Sequence, residues 1–480
     1  MEPTEQSAAA TAELPPCGAG EEREEASLPP ALRQRGQRSL IRAAMTASVI
    51  ATTILGTTVP TLYLLGLGAR ELTIGVLVML MSISPLGQLV GLRLVPRLGK
   101  AGVLLYGRLV QLPLAAGLIV LAGVGVSGDW VVLLAMGLFS LLAFVSSVSY
   151  TTWWPLVQDN VPGATLGTFF ARMRTRLRAV EVGVPLLVGF YLASRPPLHR
   201  FALPFALGWV ALAVGAWYAR QIPELPAAAV ERGLWGRMAQ ARRSPAVRRY
   251  IAYTSIYNFV IALFTAFWVV LLTAKPGNVF VGLPAGHVMW LAAVAAVGHV
   301  LGLKFWARLV DLHGGRPALG ISHIGAAALG LAWLALPSSH WLLTAWAAAF
   351  FLAWGFLDGG MLMARTCSLV RCVDRAHQSE SFTLVALCAS ACGALGGLLG
   401  GLAFDWLSRR AAQHRPLGLD PRAIYLCVVQ LGLLGAWLAS RHLVGHDRQT
   451  PTRHLLGSLW RRIAGSFAGP PQAPEPRAPK

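Results

Sequence analysis

The sequence predicts an all-α polytopic membrane protein with about twelve transmembrane helices in two halves of six. Hydrophobic residues make up 55% of the 480 positions and charged residues only 13%, roughly half the charged fraction of a soluble chain. Apolar runs near the ~20 residues that a helix needs to cross a bilayer recur from residue 40 to residue 445. The longest polar connection, residues 221–249, follows the sixth run and divides the set evenly.

The apolar runs give approximate bounds for each span. We expect a six-span half over 39–220, a cytoplasmic linker over 221–249 and a second six-span half over 250–445. The predicted spans lie near 40–66, 71–95, 102–126, 129–155, 171–193, 201–220, 250–274, 285–308, 316–337, 340–364, 381–407 and 422–444.

The two ends of the chain differ from this apolar body. Residues 1–38 are rich in Ala, Pro and Glu and lack the apolar residues needed to fold, which predicts a disordered tail. The tail over 446–480 is basic and Pro-rich, and its residues 453–467 could form a basic helix on the membrane surface.

Lysine and arginine are distributed unevenly among the loops. Most of them fall in the even-numbered connections, above all in the linker, which predicts that these loops and both termini are cytoplasmic. The last external loop, with four arginines, is an exception. We therefore expect an integral multi-pass protein of the plasma (inner) membrane, with the lipid bilayer as its first partner.

The net charge of +20 does not indicate nucleic-acid binding, because the basic residues lie in short loops between spans and no binding module is present. The six cysteines show no metal-binding spacing, so we predict no metal site. The phosphate-binding pattern GxxxxGK[ST] is absent, which argues against ATP-driven pumping by this chain alone.

Short matches between the halves indicate an internal duplication. Leu156-Val157 with Phe169 recurs as Leu369-Val370 with Phe382, and Gly99 after the second span matches Gly314 after the eighth. The offsets are nearly equal, as expected if one half is a copy of the other.

The sharpest local motif follows the eighth span and consists of Ala307, Asp311, Gly314 and Arg316. It resembles the loop motif of the major facilitator superfamily, in which a small residue, an aspartate, a glycine and basic residues follow in this order. Its glycine permits a tight turn, and its acid and base can bridge cytoplasmic helix ends and bias one conformational state. The first-half copy keeps Gly99 and Lys100 but has Pro96 where the family has aspartate, which weakens that role there.

Residues 65–75 and 161–172 also resemble loops of this family, and the resemblance covers about 40–445. It implies a secondary transporter rather than an enzyme. A small-molecule site would lie near the bilayer midplane between the halves, exposed to each side in turn, without cofactor or covalent chemistry. Either H+ or Na+ could drive it, and the sequence does not identify the substrate.

Charged residues inside spans are costly and are usually placed for function. Glu181 in the fifth span is a candidate coupling carboxylate, the alternative being an ion pair with Arg178 or Arg176. Asp358 in the tenth span is the second candidate, and the following Gly359 and Gly360 could loosen the helix for a ligand. A polar contact to a neighbouring helix is the alternative for Asp358.

Other polar side chains could face a substrate cavity. Thr53, Thr57 and Thr61 share one face of a continuous first helix. His299 lies inside the eighth span, and histidine is a residue type that can change charge near neutral pH. For these, helix-to-helix hydrogen bonding is the alternative. The remaining candidates are Gln111, Tyr257, Asn258 and Trp268.

Two other classes of protein remain open at this point. A non-transporting receptor or assembly protein could use the same fold, and truncation of residues 1–38 would test a tail-borne interaction. A membrane-embedded lipid-modifying enzyme is the second alternative, although the sequence shows no repeated acidic motif at a membrane face beyond Asp311.

Overall fold

The computed structural model describes residues 28–162, 166–192, 196–225, 234–273, 282–337, 339–373, 378–411 and 420–443. All regular secondary structure in these ranges is helical. Residues 1–27 of the predicted N-terminal tail and the whole C-terminal tail, including 453–467, lie outside them.

Eleven helical segments in this part of the chain are long and apolar enough to cross a membrane. The twelfth is the helix Leu166–Leu192, whose Arg176, Arg178 and Glu181 make it more polar, and it packs against the first and eighth spans. The all-α architecture of about twelve spans is therefore confirmed. In chain order, spans one to twelve are Pro30–Gly66, Glu71–Leu98, Lys100–Val124, Asp129–Asn160, Leu166–Leu192, Leu198–Ala219, Pro245–Thr273, Ala285–Val310, Gly315–Ala335, His340–Leu369, Glu380–Arg410 and Pro421–Ser440.

The predicted boundaries of the N-terminal tail and of the linker differ from the structure. Span one begins at Pro30, so residues 30–38, which we expected in the disordered tail, are helical. Proline is favourable in the first turn of a helix, where its missing N–H costs nothing. Within the predicted linker, Leu234–Arg243 forms a helix and span seven already begins at Pro245, while residues 226–233 lie outside the described part.

Span one is interrupted near its middle. Its α-helix ends at Ile50, a π-helical turn covers Ala51–Leu55, Gly56 is extended, and the helix resumes at Thr58. A Cβ atom at Gly56 would lie 2.4 Å from the Ala51 carbonyl oxygen, so only glycine fits this break.

The break makes one prediction wrong. Thr53, Thr57 and Thr61 do not share a face of a continuous helix, because the chain unwinds between the first two. The Thr53 hydroxyl donates to the Val49 carbonyl at 2.8 Å, while Thr57 lines the cavity described below.

The turns after spans two and eight have the same backbone conformation. Gly99 has φ +74° and ψ 170°, and Gly314 has φ +82° and ψ 179°, a region that essentially only glycine occupies. The predicted tight turns are confirmed, and their likeness supports the duplication. Arg316 donates to the Arg441 carbonyl at the end of span twelve; the Asp311 side chain lies outside the described residues.

The first-half turn obtains a carboxylate from elsewhere in the chain. Lys100 lies 2.6 Å from Asp159 of span four, and the Ala101 N–H donates to Glu224 at 2.7 Å. These contacts join the ends of spans three, four and six within one half. Pro96, which stands at the position of the family's aspartate, lies inside the helix of span two.

The halves approach closely along two pairs of spans. Spans two and eleven meet at Gly75 and Gly401, where an added Cβ on either glycine would lie within 2.7 Å of the other's Cα. Spans five and eight meet at Gly189, where an added Cβ would lie 2.9 Å from the Gly286 carbonyl. Both contacts lie toward the ends that the arginine distribution predicts to be external.

Candidate functional site

A cavity of about 430 Å³ lies between the halves. It is lined from both of them, by Thr57 of span one and by Asn258 of span seven. Asn258 holds its position by donating to the Thr254 carbonyl at 2.7 Å. The other polar lining residues are Ser82, Ser84, Ser146, Ser147, Tyr150, Thr265 and Ser390.

A second cavity of about 380 Å³ adjoins the first and shares Tyr150, Asn258 and Ser390 with it. It lies toward the predicted cytoplasmic ends of the spans. Trp154 of span four and Phe382 of span eleven both line it, and their rings stack across the two halves at 5.5 Å. Together the two cavities form one polar, aromatic-walled space between the halves.

Beside this space, a chain of polar and charged side chains crosses from one half to the other. In the first half, Ser48 donates to Glu181 at 3.4 Å, and Glu181 forms an ion pair with Arg178. Arg178 in turn lies 3.1 Å from Nδ1 of His299 in span eight. His299 Nε2 lies 2.8 Å from the Asp358 carboxylate in span ten.

One tautomer of the His299 ring satisfies both of its contacts. A guanidinium has donors only, so Nδ1, which faces Arg178, accepts. The opposite nitrogen, Nε2, faces a carboxylate and donates to it. The ring is therefore the neutral Nε2–H tautomer, assigned from its partners. A second proton on Nδ1 would point at Arg178 and break the contact between the halves.

Glycines allow spans eight and ten to hold this ring. A Cβ at Gly359 would lie 2.9 Å from the His299 ring, and one at Gly360 would lie 2.5 Å from the Trp306 ring. Span ten runs unbroken as the helix His340–Cys372. The expectation that these glycines loosen the helix is wrong, because they make room for the two rings.

The structure brings Glu181, His299 and Asp358 together, and it places Thr57 and Asn258 in the cavity. Other predicted residues lie elsewhere. Gln111 is buried in the first half, where it accepts from Arg108 at 3.1 Å and donates to the Leu142 carbonyl. Trp268 packs on Phe351 at 4.4 Å. Both are packing residues, outside the lining of either cavity.

Tyr257 is not a lining residue of either cavity. It contacts Arg365, a residue that sequence reasoning missed. The Arg365 guanidinium stacks on the Tyr257 ring at 4.1 Å and lines the second cavity. The predicted span bounds put Arg365 in a cytoplasmic loop, whereas span ten continues past it to Leu369. Tyr250, Tyr253 and Tyr257 share one face of span seven at helical spacing, and this pattern could have indicated a partner on a neighbouring span.

No protein-family model and no curated protein sequence matches the chain. Solved structures do share its fold. A mutant of the nucleoside transporter NupG has a TM-score of 0.63 at 11% identity, over 85% of this chain and 100% of that one. A D-xylose-proton symporter has a TM-score of 0.62 at 13% identity, over 88% and 99%. A bacterial homologue of the iron transporter ferroportin has 0.56 at 15% identity, over 86% and 98%.

These likenesses cover both halves of the chain and nearly all of each solved protein. They show that the chain shares the fold of these solved transporters.

Proposed function

We propose that this protein is a proton-coupled secondary transporter that carries a small molecule between the two halves by alternating access. The observation that supports it most directly is the charged chain from Glu181 to Asp358, with a neutral histidine where it crosses the halves. The cavity beside it supplies a place for the substrate.

In this mechanism, the proton acts on the contact between the halves. With His299 neutral, Nδ1 accepts from Arg178 and the halves are joined at spans five and eight. Histidine changes charge readily between pH 5 and 8, and its protonated form has two donors and no acceptor. Protonation therefore ends the Arg178 contact, while the imidazolium stays paired with Asp358.

The remaining parts of the mechanism follow from the fold. The glycine contacts Gly75–Gly401 and Gly189–Gly286 close the predicted external side of the cavity, and rocking of the halves would open them. We place the protein in the plasma (inner) membrane with both termini in the cytoplasm, as the loop arginines favour. H+ is the coupling ion that the histidine favours over Na+.

Proteoliposomes that enclose a pH-sensitive dye test this function even though the substrate is not identified. Addition of a transported compound should move protons across the membrane. We expect at least one compound of a metabolite library to give such a flux. Asp358→Asn should abolish the proton flux but retain exchange of labelled for unlabelled compound, because His299 loses its anionic partner.

Asp405→Asn is the matched control, since this aspartate pairs with Arg409 at 2.6 Å outside the charged chain. It should leave the flux unchanged. Exchange without any proton movement in the unmodified protein would contradict proton coupling.

A further inference from the structure

Arg365 is a charged residue inside the protein that the coupling mechanism does not use. It lies in span ten, two helical turns after Asp358, and faces the second cavity. No Asp, Glu or Lys is among the described residues that line either cavity, and Arg365 is the single charged side chain among them.

Three tyrosines of span seven hold this arginine in place. Its guanidinium lies 4.1 Å from the centre of the Tyr257 ring, and the Tyr250 hydroxyl donates to the Arg365 carbonyl at 3.1 Å. Tyr253 packs between them, with ring-centre distances of 5.9 Å and 6.4 Å. Stacking on a ring face uses the face of the guanidinium and leaves the N–H groups at its edge available.

Arg365 has no direct ion-pair partner among the described residues. Asp358 pairs with His299 and Glu181 with Arg178. Arg174, whose guanidinium contacts the Met363 sulfur at 2.8 Å, adds a further positive charge. Asp358, two helical turns away, offsets part of the Arg365 charge, but no carboxylate of the described residues lies against the guanidinium edge, and a charged group without a direct partner is expensive inside a membrane.

The walls around Arg365 restrict the kind of anion that fits. A guanidinium edge matches a carboxylate, which it binds with two parallel hydrogen bonds. Beside it the cavity offers the aromatic surfaces of Tyr150, Trp154 and Phe382 and the hydroxyls of Thr254 and Thr383. A single guanidinium edge beside aromatic walls suits a ligand with one carboxylate group, the rest of which is apolar or aromatic.

We propose that the substrate is an organic monocarboxylate whose anionic group binds Arg365. This inference rests on the proposed function, since it names the class of molecule that the same cavity carries. Such a ligand would give the Arg365 guanidinium the carboxylate partner that the described residues do not supply.

Binding to the purified full-length protein in detergent tests the proposal separately from transport. Equilibrium dialysis would compare benzoate, indole-3-acetate and octanoate with their uncharged amides, benzamide, indole-3-acetamide and octanamide. We expect at least one carboxylate to bind about tenfold or more tightly than its amide. Arg365→Gln should reduce the affinity for the carboxylate to that for its amide. Arg365→Lys should retain part of the affinity, because lysine keeps the positive charge but cannot form two parallel hydrogen bonds.

Arg409→Gln is the control for loss of an arginine, because Arg409 is 69% exposed and lines neither cavity. It should not change binding. Thermal unfolding of each variant separates loss of the binding group from loss of the fold, and Arg365→Lys remains informative if Arg365→Gln does not fold.

Three results would overturn the proposal: no binding by any of the three carboxylates at millimolar concentration, equal binding of acids and amides, or unchanged carboxylate affinity in both folded Arg365 variants. Carboxylate binding that depends on Arg365 without any flux in proteoliposomes would instead contradict the transport function and leave the binding site intact.

Discussion

Arg178 and His299 join the two halves of the chain through one hydrogen bond of 3.1 Å, from a guanidinium of span five to a ring nitrogen of span eight. Because the ring has to accept this bond, a single proton on Nδ1 is enough to remove it. In the proposed mechanism, this contact couples the charge of one side chain to the relative position of the halves.

Replacement of His299 by glutamine should make the distance between the two halves independent of pH. Glutamine can still accept from Arg178 through its amide oxygen, yet it does not titrate between pH 5 and 8. Spin labels at the exposed residues Leu187 of span five and Leu301 of span eight, in a cysteine-free chain, would report the distance. We expect a pH-dependent distance distribution with His299 and a constant one with His299→Gln. Persistent pH dependence in the variant would place the switch on another group.

Replacement of Gly401 by leucine should open the predicted external side of the cavity. A Cβ at 401 would lie 2.7 Å from the Gly75 Cα, so spans two and eleven would have to separate. A cysteine introduced at Val78, which lines the cavity, should then react faster with a membrane-impermeant maleimide added from outside.

Gly183→Leu is the matched control, because nothing lies within 4 Å of a Cβ at that position. It should leave the labelling rate unchanged. Equal labelling in Gly401→Leu and the parent would show that this glycine contact does not close the cavity.

Gly99→Ala should lower the thermal stability by several degrees. The Gly99 backbone, at φ +74° and ψ 170°, costs a residue with a Cβ roughly 1–3 kcal/mol. An added Cβ would also lie 2.3 Å from the Glu224 carboxylate that caps span three. Gly123→Ala, in the helix of span three with open space around it, should be neutral or stabilising. The melting temperatures of the purified variants compare the two.

Asp159→Asn should destabilise the predicted cytoplasmic end of the first half, because both Lys100 and the Leu225 N–H use this carboxylate. The side chains of Lys100 and Asp159 are only 15% and 11% exposed, so solvent screens their attraction weakly. Lys100→Met alone and in combination with Asp159→Asn completes a double-mutant cycle. We expect the double variant to lose less stability than the sum of the two single variants. Strict additivity would mean that the ion pair contributes nothing.

The sequence was enough to predict the spans, the two halves and the glycine turns, because each of these depends on local composition and spacing. It also selected Glu181, His299 and Asp358, since titratable residues are rare inside membrane helices. It could not show that these three side chains are linked through Arg178 into one row of contacts, because those contacts depend on how spans five, eight and ten pack.

The misplaced residues have local causes. Gln111 and Trp268 are candidates by their chemistry alone, which does not distinguish a cavity wall from a helix contact. Arg365 escapes notice because hydropathy falls near residue 365 before the helix ends at Cys372. The interruption of span one depends on a backbone clash at Gly56 that no apolar pattern reveals.

That interruption has a consequence for water. The helix that resumes at Thr58 starts with N–H groups that lack an intrahelical partner, although Pro60, which has no N–H, removes one of them. In the hydrocarbon interior such groups need solvent or a ligand, and Thr57 borders the cavity. We therefore expect water to reach the middle of span one, and its amide hydrogens near Gly56 to exchange with deuterium well before those of the intact helices around it.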